Sequence, residues 1–210
     1  GFGKGNWGGN KGEVAAIPVK ADSVLRGDMN SYIETYTRLE AERDALSKIS
    51  FDPRLARQAS KAPEVSELML GQKRLFEARG ASIDHQSEQL AKQREQVLNQ
   101  IEGLAAQQTA LSIQLELTEE ELTNQQTLFD RGLAQTTKLL GLKPAAVQWY
   151  DQIGDLTTRT AQASVRITEL NVEIDALQTQ QRGKAISDLR NQQFRFLELG
   201  ERHRALQQKL

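Results

Sequence analysis

The chain has 210 residues, with 27 basic against 28 acidic side chains, 38% hydrophobic and 5% aromatic residues, and no cysteine. So balanced a charge gives no electrostatic reason to expect nucleic acid or an anionic membrane surface as the main partner. The lack of cysteine excludes disulfides and thiolate metal sites, and no stretch approaches the ~20 apolar residues that cross a bilayer.

Few aromatics, with glutamine at roughly a tenth of the residues, point to long helices rather than a thick core, so the fold class is all-α. No basic-then-apolar signal peptide opens the sequence, so any exporting or anchoring segment is expected outside these residues. Residues 1–21 read as a Gly-rich linker, tag or strand remnant. Gly3-Lys-Gly5-Asn-Trp-Gly8 matches GxGxxG formally, but no strand precedes it and no helix follows, which the phosphate-binding version requires. Val14, Ile17 and Val19 fit one short β-strand remnant.

A first short helix is expected over 22–50, with Met29, Ile33, Tyr36, Leu39 and Leu46 at helical spacing and Asp22 or Ser23 as N-cap. Ser47-Lys-Ile-Ser-Phe-Asp-Pro53 ends it, because the residue before a proline is pushed out of helical geometry. Residues 51–62 read as a loop, and Pro63 suits the first position of the next helix. That long outgoing helix runs over 63–129, a rod of roughly 90–100 Å at 1.5 Å per residue. Phe76, Ile83, Leu90, Val97, Leu104 and Leu111 repeat along it every seventh position, joined by Ile101, Leu115, Leu122 and Phe129.

Residues 130–143 form the expected hairpin tip around Asp130-Arg131-Gly132, and a return helix follows over 144–210. Trp149, Leu156, Ala163, Leu170 and Leu177 carry its seven-residue stripe, interleaved with Ala146, Ile153, Ile167 and Ile174. Two such stripes either side of one turn predict a long antiparallel two-stranded coiled-coil hairpin. The phase then slips near residues 182–183, and Leu189, Phe196, His203 and Leu210 form a new stripe. A changed phase implies a changed partner, the helix of 22–50, packed as a third shorter helix at the hairpin base.

Catalytic chemistry is not expected. His85 and His203 fall on different helices, and Glu119-Glu120-Glu121 reads as a solvated face offering i,i+4 pairs. Acid–base work needs carboxylates in a concave pocket that shifts their pKa, which a two-helix rod lacks. No enzyme activity, cofactor or metal site is predicted. Trp149 reads as a core anchor.

Asp22-Ser-Val-Leu-Arg26, Thr37-Arg-Leu-Glu-Ala-Glu-Arg-Asp44, Glu64-Val-Ser-Glu-Leu-Met-Leu-Gly-Gln-Lys-Arg-Leu-Phe-Glu-Ala-Arg79 and Leu128-Phe-Asp-Arg-Gly-Leu133 follow one another in order. Together they resemble the HlyD-like periplasmic adaptors, or membrane fusion proteins, of bacterial type I secretion systems. The resemblance is to the branch exporting proteases and lipases and covers about residues 22–210. It implies a periplasmic protein anchored in the inner membrane, linking an ABC transporter to a TolC-like outer-membrane channel. It also implies copies packed into a tube, commonly a hexamer, through which the exported protein passes. The lipoyl and β-barrel domains and the anchor that the family carries are expected outside this chain.

In that family the hairpin tip docks on the channel through an Arg, a Leu four residues on, and a Ser or Thr seven further. Leu128 matches the Leu, Asn124 stands at the Arg position, and Gln135 stands at the hydroxyl position with Thr136 beside it. With Arg131, Gly132 and Leu133 of the turn, these are the candidate docking residues. The alternative is a coiled-coil scaffold or chemoreceptor-like signalling hairpin with no transport role; nothing around Gly132 resembles a chemoreceptor tip.

Overall fold

A computed structural model of the chain describes the backbone of residues 11–208 and the side chains of 26–208. The Gly3–Gly8 pattern and Leu210 lie outside the described residues. Four helices follow one another: α1 (Lys11–Arg43), α2 (Pro53–Ala59), α3 (Pro63–Asp130) and α4 (Thr136–Gln207), with no strand among the described residues. They fall into two compact units, one built from residues up to 84 and from 177 onward, the other from His85–Ala176.

The expected strand at Val14–Val19 is helical instead: α1 starts at Lys11, so Asp22 and Ser23 lie inside it rather than capping it. A lone short strand leaves its N–H and C=O groups unpaired, whereas a helix closes them internally. α1 also stops at Arg43, before residue 50. The Ala45 N–H donates to the Glu42 carbonyl at 3.3 Å and the Leu46 N–H to the Ala41 carbonyl at 2.9 Å. Ala45 has φ of 52°. This is a Schellman termination with alanine in the left-handed position that glycine usually fills.

The expected loop over 51–62 contains α2. Asp52 caps it, accepting the Arg54 N–H at 2.7 Å; Pro53 holds the first turn, and Leu55 is buried. Seven residues with one apolar anchor show no periodicity, so the sequence pattern hid it.

In the first unit α1 is covered on most sides from Met29 to Arg43. Toward α3, Arg38 Nε donates to Gln72 Oε1 at 2.6 Å, and Gln72 Nε2 donates to Thr35 Oγ1 at 3.3 Å. One turn further along α1 and two along α3, Arg79 Nη1 meets Glu42 Oε2 at 3.1 Å. Residue numbers rise together on the two helices, so α1 and α3 are parallel here. Toward α4, the Tyr32 ring stacks on Phe196 with centroids 4.8 Å apart. Arg182 is close enough to Asp44 to help hold that carboxyl below its usual range, after the larger effect of the Arg43 hydrogen bond. Here the numbers run oppositely. Ala185 and Leu189 are buried in this unit, and of the stripe expected after residue 183 it is Phe196 that meets α1.

In the second unit α3 and α4 form an antiparallel hairpin. Arg94 bonds Asn171 at 3.0 Å, Gln108 bonds Thr157 at 3.2 Å, and Tyr150 Oη donates to Glu119 at 2.7 Å. Along α3 the numbers climb while their partners on α4 descend. Leu104, Leu115, Leu156, Ala163 and Leu170 are buried between the arms. Ile101, Leu111, Leu122, Trp149, Ile153 and Ile167 are half-buried beside them. Phe129 departs from the predicted seam: at the last turn of α3 it has no facing helical arm to cover it, and it is exposed.

The turn is shorter than the expected tip of 130–143. α4 begins at Thr136 and runs through Gly141 and Pro144. Proline lacks the N–H that would reach the Leu140 carbonyl, a defect one helical turn can absorb near a terminus. Burial of Leu139 favours helix already in that first turn.

Candidate functional site

The end of the hairpin is built by a helix stop at Asp130 and a helix start at Thr136. The Gly132 N–H donates to the Phe129 carbonyl at 2.8 Å and the Leu133 N–H to the Leu128 carbonyl at 2.9 Å. Gly132 has φ of 74°. These two bonds are the paired closures of a Schellman motif, and they need a left-handed residue at Gly132. Below the turn, Gln126 Nε2 donates to Asp130 at 2.9 Å, and Gln125, buried, donates to Glu121 at 2.9 Å. Lys138 of α4 approaches Glu121 at 3.8 Å. The bend is thus held by backbone bonds and short polar side chains while its apolar groups are left outside.

All seven sequence-predicted residues lie around this end and all are exposed: Asn124 and Leu128 on α3, Arg131, Gly132, Leu133 and Gln135 in the turn, and Thr136 opening α4. Asn124 and Leu128 are one turn apart on one side of α3. Leu133 presents 73% of its surface to solvent. In a Schellman turn the residue after the glycine commonly packs back on the last turns of the helix; here most of that residue stays open to water. Phe129 and Leu140 add exposed apolar surface that sequence reasoning did not assign to the tip. The signal was present in Leu139-Leu140: adjacent helical residues point about 100° apart, so only one could face α3.

Elsewhere the second unit has a shallow groove of about 430 Å³ between the arms, lined by Gln107, Leu111, Gln148, Asp151, Gln152, Asp155 and Leu156. Its polar groups diverge along two helices rather than converging on a point. Among the described residues no three or more His, Asp or Glu side chains group to hold a metal ion. No described helix is long and apolar enough to cross a membrane.

Residues 23–209 match the family described as AprE, long alpha-helical hairpin. The type I secretion system membrane fusion protein PrsE of Rhizobium meliloti (strain 1021) is 24% identical over 205 residues, which take in 94% of this chain and 46% of that protein. The chain therefore spans just under half the length of that relative. The crystal structure of the soluble domain of LipC, a membrane fusion protein of a type I secretion system, is similar with a TM-score of 0.82. That likeness covers 98% of this chain and 93% of the other at 21% identity, a level at which it speaks for the fold alone.

Proposed function

The chain belongs to the AprE family of long α-helical hairpins, and from that premise we propose that it is the helical part of a type I secretion membrane fusion protein. In this reading it is a non-enzymatic adaptor standing in the periplasm and anchored in the inner membrane by a segment outside these residues. It links an inner-membrane ABC transporter to a TolC-like outer-membrane channel, and the hairpin turn docks on the channel end.

The observation that carries the reading is the turn. A hydrogen-bonded bend with Leu133 projecting into solvent beside Leu128 and Phe129 has little reason to exist in an unpartnered rod, because apolar tips cost solubility. Short polar groups around it, Asn124, Gln135 and Thr136, suit hydrogen bonding to a facing helix end.

Self-association fits the outer faces of the arms. Val147, Val165 and Val172 on α4 and Ile113 and Leu117 on α3 are exposed, on the faces turned away from the seam. Side-by-side copies would cover them and form a tube, a hexamer in the complete assembly, around the exported protein.

The test is Leu133→Asp, with Leu128→Asp as its companion, in the full-length protein in secreting cells. Helix content and melting of the 210-residue chain should be unchanged while export of the cargo falls at least tenfold. Undiminished export with either variant would remove the docking role.

A further inference from the structure

Charged residues are rarely buried without partners, and among the described residues α1 holds an exception. Glu34 is fully buried in the first unit, at 0% exposure, and neither of its carboxyl oxygens has a hydrogen-bond partner. From this geometry we propose that Glu34 is held inside the unit as a neutral carboxylic acid, and that its ionisation loosens α1 from the helices packed around it. The device is independent of the docking role proposed for the turn.

The surroundings explain why no cation neutralises it. On α1 itself Arg38 is one turn away, but its guanidinium is committed to Glu42 and Gln72. Arg79 of α3 also serves Glu42. Arg195, Glu198 and Arg202 of α4 line a separate cleft with Asp28, Tyr32 and Thr35 of α1. Arg54 and Arg57 of α2 are exposed. Among the described residues no charge is seen to act on Glu34; burial pushes its carboxyl up from 4.5 to about 7. A carboxylate here would be a buried charge with no hydrogen bond to either oxygen, and the ways to relieve it are to bind a proton or to open the packing to water.

The sign follows from linkage. Between pH 4.5 and about 7 the folded unit keeps a proton that the unfolded chain has released. Stability of α1 packing is therefore full below that window, falls as the pH rises through it, and levels off above.

A 13C-resolved titration of the Glu34 carboxyl in the 210-residue chain should have its midpoint near 7. A midpoint in the ordinary range of about 4 to 5 would overturn the proposal. Hydrogen exchange over residues 29–43, corrected for the intrinsic rate, reads the consequence. From pH 5 to 8 the opening constant should rise on the order of 50- to 100-fold in the unaltered chain. In Glu34→Gln, and in Glu34→Met, which removes the polar atoms at similar size, it should change by less than about threefold. Equal pH dependence in the unaltered chain and both variants would refute it.

Discussion

The two units solve the same packing problem with different shares of charge inside. Between the arms of His85–Ala176 the buried side chains are leucines and an alanine, with Gln125 as the polar exception near the turn. The cross-arm polar bonds, Arg94 to Asn171 and Gln108 to Thr157, sit exposed at the rim. The first unit buries an apolar core as well (Leu39, Ala41, Leu55, Val65, Ala185 and Leu189), but with Glu34, Arg38 and Glu42 of α1 inside it. A leucine seam distinguishes poorly between registers one heptad apart, because the same residue types recur. A chain of Arg38, Glu42 and Arg79 is satisfied in one arrangement only. The difference teaches that the hairpin is held mainly by apolar burial, while the position of α1 is specified by polar groups whose removal leaves charges stranded.

The contrast can be broken most severely at Glu42. Glu42→Ala leaves Arg38 and Arg79 without their shared carboxylate, and should cost the first unit about 3–5 kcal/mol in urea unfolding. Next in size is Leu170→Ala in the apolar seam. Leu170 is fully buried, and its truncation should cost about 3 kcal/mol in the second unit, read from the same unfolding curves. Its salt dependence should be slight, whereas the Glu42 effect should weaken when salt screens the released charges.

The smallest effect sharpens the comparison at the two helix stops, which share one motif with different residues. Ala45→Gly should raise the thermal stability of the first unit by up to about 1 kcal/mol, since alanine pays for φ of 52° there. Gly132→Ala should lower that of the second by about the same amount, with no steric clash contributing, because nothing lies within 4 Å of the added Cβ.

Much of the hairpin was legible because a coiled-coil seam is a one-dimensional signal. Leu104, Leu115, Leu156, Ala163 and Leu170 declared themselves by spacing, and all five are buried; Leu139 and Gln125, buried as well, fell outside the two stripes. Beyond residue 183 the expected stripe meets α1 at Phe196, against Tyr32. The seven candidate residues cluster at one exposed end because a single glycine next to a broken heptad leaves few other places to reverse. Phe129 misled because it keeps the heptad spacing for one turn beyond its facing arm. α2 was invisible because a cap, a proline and one leucine carry too little pattern. The start of α1 was misread because Val14, Ile17 and Val19 look alternating, while competition between strand and helix is decided by whether a strand partner exists. Glu34 could not be singled out at all. In a sequence it is one acidic residue among many, and only three-dimensional packing reveals that it is sealed from water.

The central claim is that the exposed turn is the end that meets a partner. A photo-crosslinking amino acid placed at Leu133 of the full-length protein in secreting cells tests it directly, with Val172 on the outer face of α4 as the contrasting position. The account predicts that position 133 captures the outer-membrane channel and position 172 captures another copy of the same protein. Capture of the channel from position 172 and not from 133 would contradict it.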